Sequence, residues 1–423
     1  MKKFLAVIAV LALTMVGSMA MAEVTFDGSV EMRLQAAKNL ADWDDAATSD
    51  SDTYRKTQTR LRFGVNGKHE NVKGRIQIET DWDNWADGTG SANPGFETRP
   101  NSTLAYREGW VDFVLPGISP AHIKVGRQFL QLGNGWFFRS GKYGSDAWVV
   151  GLPGKNTIAF VDVKAAENTL SNADDTDAYV LLDTFKIDDT KSVGAYIAHV
   201  LDRKGAWTNR AFATSGITET TLDNIGLWFN GKLGAVNLAA ELDWQMGEIK
   251  DPTSTTDLSG YQLVVQATMP IDSLTINATA AMGSGDDPNT SDEVEQFIPF
   301  MDVDPHYSFV YEYLTETASG SKSTAFANTT ALGLGAMFQL NKMIALGADL
   351  WYFMADQKFA AQTSGTPDDE IGNEVDVKLN LKLYDQLTWN TTAGIFMPGK
   401  AYENAQGKAD DATAIFSTIS YKF

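Results

Sequence analysis

The chain has 423 residues, no cysteine, 43% hydrophobic residues and a formal net charge of −20. The acid excess excludes a nucleic-acid binder, whose footprint must be basic, and the absence of cysteine excludes a fold stapled by disulfides. No internal run approaches the roughly 18 consecutive apolar residues of a membrane-spanning helix, though a chain that alternates apolar and polar residues escapes that test.

Met1 to Ala22 reads as a cleaved secretory signal: Lys2 and Lys3, an apolar core from Phe4 to Met15, then Ala20-Met21-Ala22 as an A-x-A site. Residues 23–423 then form one domain, without a linker. Val24 to Gln35 opens it with near-perfect alternation. Val24, Phe26, Gly28, Val30, Met32 and Leu34 share one face, and Thr25, Asp27, Ser29, Glu31, Arg33 and Gln35 the other.

The same period predicts strands near 24–35, 57–67, 72–82, 104–115, 122–129, 146–152, 156–165, 177–187 and 191–201. It continues near 223–232, 235–246, 259–269, 274–284, 328–340, 343–354, 373–383, 387–397 and 412–423. That makes about eighteen strands, an even number, as single-chain bacterial barrels have. Short Gly-, Pro-, Asn- and Asp-bearing connections such as Lys68–Asn71, Asp188–Thr190 and Lys232–Gly234 alternate with long ones such as 36–56, 83–103, 202–222, 285–327 and 355–372. Short periplasmic turns alternating with long extracellular loops belong to an all-β transmembrane antiparallel β-barrel.

If the apolar faces meet lipid, the other faces line a lumen and set what passes. The inward positions carry Arg33, Arg60, Arg62, Lys73, Arg75 and Lys124, interleaved with Glu79, Glu108 and Asp112. Later strands add Glu241, Asp243, Glu374, Asp376 and Lys378. Opposed charges across a pore make a transverse field for polar or charged solutes; alternatively they pair and merely line a wet wall. Trp82, Trp110, Phe113, Trp244, Tyr261, Trp351, Tyr352, Trp389 and Tyr421 lie near strand ends, as interfacial aromatic girdles do.

Ile123–Trp148, IKVGRQFLQLGNGWFFRSGKYGSDAW, breaks the alternation. Its glycines are pliable, and Trp136, Phe137 and Phe138 are too apolar for free water. Folded into the barrel, the stretch would narrow the pore and bring Arg127, Arg139 and Lys142 to solute; otherwise it is a surface loop with an aromatic foot. The outer loops are acidic at Asp42–Asp52, Asp286–Glu295 and Asp368–Glu370, giving a mouth that enriches cations and faces lipopolysaccharide. The scarce histidines, His69, His122, His199 and His306, form no catalytic motif, and no cofactor or metal set is expected. The last twelve residues, ATAIFSTISYKF, put Ile415, Ile419, Tyr421 and the terminal Phe423 on one face, with Ser417 the one polar member.

That closing strand resembles the last strand of bacterial outer-membrane barrels, which implies recognition of Phe423 by the barrel-assembly machinery. Gly126–Gln128 (GRQ), Ile371–Val377 (IGNEVDV) and Phe396–Gly399 (FMPG) are similar to the alginate-export type of outer-membrane porin. The resemblance implies an eighteen-stranded monomeric barrel, and the archetype passes an anionic polysaccharide through a strongly basic lumen. This chain departs from that in its mixed inward charges. The expectation is a cell-outer-membrane porin for small hydrophilic or charged solutes, and not an enzyme. The alternatives are a barrel sheath around a partner chain, such as a cytochrome, or an anionic-polysaccharide exporter.

Overall fold

The computed structural model describes residues 23–40, 54–80, 82–84, 104–118, 120–141, 144–167, 174–203, 216–290, 292–300, 307–314, 325–359, 367–403 and 408–423. The expected signal peptide, the first acidic loop at Asp42–Asp52, Lys142 and His306 lie outside the described residues.

Alternation over this many segments has one closed solution, in which every backbone group pairs laterally and no edge remains. Among the described residues the barrel strands are β1 (Glu23–Lys38), β2 (Tyr54–His69), β3 (Val72–Thr80), β4 (Leu104–Val114), β5 (His122–Gln128) and β6 (Ser145–Leu152). They continue as β7 (Asn156–Ala166), β8 (Thr176–Asp188), β9 (Lys191–Asp202), β10 (Glu219–Leu233), β11 (Val236–Lys250) and β12 (Thr255–Ile271). The circuit is completed by β13 (Leu274–Gly283), β14 (Thr329–Gln339), β15 (Ile344–Phe359), β16 (Asp368–Lys382), β17 (Leu387–Pro398) and β18 (Ala412–Lys422). Each pairs antiparallel with its sequence neighbours. β18 closes the ring on β1, from Ser29↔Lys422 to Lys38↔Thr413.

The outward face is apolar, with Phe26, Met32, Leu61, Phe63, Leu181, Leu227, Leu334, Leu350 and Val377 all exposed. Ile415, Ile419, Tyr421 and Phe423 are exposed on that same face. Its one polar member in β18, Ser417, accepts the Trp389 indole N–H at 2.7 Å, so the hydroxyl is not left bare in lipid.

The ring closes in register through Phe423: Gly28 N donates to Phe423 O at 3.0 Å and Phe423 N donates to Gly28 O at 3.1 Å. The Phe423 ring occupies the space above Gly28, where a Cβ would lie 2.5 Å from Phe423 Cζ. Gly28→Val therefore forces the terminal ring off the seam. It is expected to cost about 1–3 kcal/mol, seen as a lower midpoint in urea unfolding of the refolded barrel.

Several strands outrun their expected ends on the loop side: β11 and β12 reach Lys250 and Thr255, and β15 and β16 reach Phe359 and Asp368. Above the bilayer both faces meet water, so the dyad pattern stops while the hydrogen-bond ladder continues. For the same reason the β11–β12 connection is only 251–254, a short link among long ones. Asp251 ties it: its carboxylate accepts from Ser254 Oγ at 2.6 Å and Thr253 N at 2.6 Å. These bonds hold its carboxyl below the usual range.

Candidate functional site

The lumen is not an open cylinder. Residues 129–141, between β5 and β6, fold inward and bury Trp136, Phe137 and Phe138. The surface-loop alternative for this stretch does not hold, because these rings pack against one another's neighbours inside the barrel. Phe137 stacks on Phe300 (6.3 Å) and Tyr196 (6.2 Å), and Trp136 packs on Phe326 (4.9 Å). Residues 297–300, from the β13–β14 connection, join this layer, with Phe300 N donating to Phe137 O at 3.0 Å. A third segment, the π-helical turn Phe309–Leu314, lies against β16–β18. The interior of β6–β18 is thus faced largely by the chain's own segments.

This coverage changes the place of four expected pore-lining residues. Glu241, Asp243, Glu374 and Asp376 do point inward, but they are 1%, 0%, 0% and 1% exposed. Glu241 accepts the N–H groups of Asn134 and Trp136 from the 129–141 segment. Asp243 accepts from Tyr196 Oη, Asn224 Nδ2 (2.9 Å) and Gln262 Nε2 (3.0 Å). Gln245 joins them by holding both the N–H and the C=O of Ile298, at 2.9 and 2.8 Å. Glu374 accepts from the 309–314 turn. Helical turns and tight loops present unsatisfied N–H groups, and a buried carboxylate is the strongest acceptor a wall can offer them. Glu241 and Glu374 thus anchor inward segments, Asp243 ties neighbouring strands of the wall together, and all four acids lie covered from solute.

The wall of β1–β5 carries a row of guanidiniums set in front of carboxylates. Arg60 Nε donates to Glu31 at 2.7 Å, Arg62 Nε to Glu79 at 2.7 Å, and Arg75 bridges Asp27 (2.6 Å) and Glu108 (2.8 Å). Glu79 is fully covered while Arg62 and Arg107, its two partners, keep 20% and 11% exposure. Asp27, near the turn end, is the exposed acid of the row at 41%. The face turned to the lumen is therefore richer in positive groups than the formal count suggests. Arg33 and Arg60 clasp the Trp82 ring from 4.0 and 4.3 Å, and Lys124 lies 4.0 Å over Trp110. These contacts fix the cationic heads in place.

Arg107 belongs to this row although strict alternation points it to lipid. The β3–β4 ladder shifts register between Gln77 and Ile78, so Arg107 and Glu108 both turn inward. Arg107 donates to Gln77 Oε1 at 2.8 Å and to Gly141 O at 2.9 Å, linking the row to the 129–141 segment. No residue type marks such a bulge in advance.

The other expected site residues divide. Lys73 and Asp112 lie toward the turn end of the wall, and Lys378, on β16, pairs with Asp349. Arg139 sits in the inward segment, opposite Gln131. Arg127 is a correction: it pairs with Asp146 on the outer face, where Asp146 shares parity with the exposed Trp148 and Val150. Trp82, Trp110 and Trp351 are corrected the other way, from the lipid girdle to the interior. Trp244, Tyr261, Tyr352, Trp389 and Tyr421 remain outside. Near the mouth, burial pushes the Tyr402 phenol up to about 12 and raises the Asp286 carboxyl.

The family model described as "Alginate export" matches residues 27–416. Among solved structures, Pseudomonas aeruginosa OccK9 (OpdG) is similar with a TM-score of 0.58 at 10% identity, over 95% of this chain and 98% of that one. A BenF-like porin from Pseudomonas fluorescens Pf-5 also gives 0.58 at 10% identity, over 95% and 98%. Acinetobacter baumannii OccAB4 gives 0.56 at 10% identity, over 96% and 100%. Likeness at such identities shows a shared barrel fold. No curated protein matches the sequence.

Proposed function

Because the chain belongs to the alginate-export family, we propose that it is an outer-membrane porin whose channel runs along the guanidinium wall of β1–β5. Small hydrophilic or charged solutes diffuse down this wall. The observation that carries the reading is the layering of charge: Arg62 and Arg107 reach the lumen while Glu79 lies covered behind them. A fixed row of partly exposed donors offers an anion successive, exchangeable contacts, which permits entry without trapping. The similarity to a BenF-like porin supports a channel for small molecules.

The exporter alternative draws on the family description and on the same row of arginines. It needs clearance for a polymer beside the inward segments. The sheath alternative needs a lumen left free for a second chain, whereas residues 129–141 and 297–300 of this chain occupy much of it. The barrel is proposed to act as a monomer, to meet lipopolysaccharide at its acidic loops, and to be delivered to the assembly machinery through Phe423. Planar-bilayer recording of the refolded barrel tests the function. Discrete open steps with anion preference under a salt gradient are expected; a folded barrel that stays silent would overturn the porin reading.

A further inference from the structure

The turn Phe309–Leu314 is attached to the barrel in an unusual way. Three consecutive N–H groups converge on one side chain: Phe309 N and Val310 N donate to Glu374 Oε1 at 2.7 and 2.8 Å, and Tyr311 N donates to Glu374 Oε2 at 2.7 Å. These are the donors that a first helical turn leaves without partners of its own. The wall is recessed to receive the turn. A Cβ on Gly394 of β17 would lie 2.8 Å from Val310 Cγ2 and 3.0 Å from Phe309 Cδ1. Among the described residues the backbone N–H ties from turn to wall meet at one carboxylate, and the Tyr311 side chain adds ring stacking on Phe396 at 4.8 Å and a hydroxyl contact with Tyr402 at 3.1 Å.

The segment 129–141 is held differently. Glu241 is only one of its anchors. Asn134 Nδ2 donates to Ala240 O at 2.8 Å and Phe229 O at 3.3 Å, Arg107 holds Gly141 O, and Phe300 N holds Phe137 O. These anchors lie on other strands and segments than the Glu374 carboxylate, so breaking the Glu374 bonds leaves residues 129–141 seated.

The turn also borders the channel. Phe309 meets the Phe416 ring edge-on at 5.2 Å, and Phe416 carries the Arg33 guanidinium at 4.9 Å. Lifting the turn would uncover Phe416 and widen the lumen beside Arg33 and Trp82.

We propose that residues 309–314 form a gate beside the guanidinium wall and that Glu374 is its latch. With the three bonds made, the turn lies flush on β16–β18. When they break, the turn lifts while the 129–141 segment stays in place. The channel then has two widths, set by whether Glu374 holds its backbone donors. The widening rests on reading β1–β5 as the channel; the latch itself does not, and the test separates the two.

The chain has no cysteine, so single thiols can be introduced and read without background. Val310→Cys and Phe137→Cys are each placed in the wild-type barrel and in Glu374→Gln, then reacted with a water-soluble thiol reagent in lipid bilayers. Gln keeps the shape of Glu374 but replaces a two-oxygen anion with one neutral acceptor. The thiol at 310 is expected to react at least ten-fold faster in Glu374→Gln, with the thiol at 137 unchanged. The same variant is expected to dwell longer at a wider conductance level. An unchanged rate at 310 would overturn the latch and leave aromatic packing as what holds the turn. Equal acceleration at both positions would also overturn it, as general loosening. Selective acceleration at 310 in a barrel that carries no current would keep the latch and sink the porin reading.

Discussion

Replacing Arg60 and Arg62 together by Gln will shift the channel's ion preference toward cations by about thirty-fold in permeability ratio, taking about 1 kcal/mol per removed charge at a partly screened lumen wall. The double change leaves Glu31 without its 2.6 Å partner and leaves Glu79 with Arg107 at 3.4 Å. The wall then loses two lumen-facing positive groups and exposes one acid. Reversal potentials under a salt gradient read the effect directly. The shift should shrink at high ionic strength, because the Debye length falls to about 3 Å at 1 M salt. Lys155→Gln, in a short turn away from the lumen row, serves as the control and should leave the ratio unchanged. If the double variant keeps the wild-type ratio, the arginine row does not face the permeating ions.

The second large effect is expected at Glu241. Glu241→Ala leaves the N–H groups of Asn134 and Trp136 buried without their acceptor, and takes one partner from Tyr196 Oη. Each orphaned buried donor costs about 1–3 kcal/mol, so the 129–141 segment should lose about 3 kcal/mol of its hold. The sheet itself is untouched, since the ladder from Asn237 to Lys250 uses backbone groups. The result expected is a folded, heat-modifiable barrel with noisier current and a mean conductance raised roughly two-fold, as the inward segment is freed to move out of the pore. Limited proteolysis should cut the variant within 129–141 and spare the parent. Quiet, parental current in Glu241→Ala would mean that aromatic packing alone seats the segment.

The barrel was legible because its physics repeats. Each strand shows the period of two, and the alternation of short and long connections adds an independent signal. The inward fold of residues 129–141 was legible from three consecutive aromatics set among glycines, a composition that free water does not tolerate. What could not be read is what covers what. Glu241 and Asn134 are 107 positions apart, and Glu374 and Phe309 are 65 apart. Period alone places Glu241, Asp243, Glu374 and Asp376 inward and is silent on the segments laid over them. Arg107 escaped because a single extra residue in β4 resets the parity, and the bulge has no residue signature of its own. The sequence places Arg127 at the pore as part of the 123–148 stretch folding inward; its cross-strand partner Asp146 shows the outer face. Trp82 and Trp110 read as girdle residues from their place near strand ends, but aromatics suit either face of a strand. The guanidiniums packed on them, at 4.0 and 4.3 Å for Trp82, mark them as part of the channel wall.

The proposed solute path runs along β1–β5 and not along the covered wall opposite. Cysteine accessibility in the open channel distinguishes the two, with Arg62→Cys on the row and Gln245→Cys beneath the inward segments. A bulky water-soluble thiol reagent added during recording should cut the current at position 62 within seconds and leave position 245 silent. Block at 245 with no response at 62 would put the solute path on the opposite wall and rule out the arginine row.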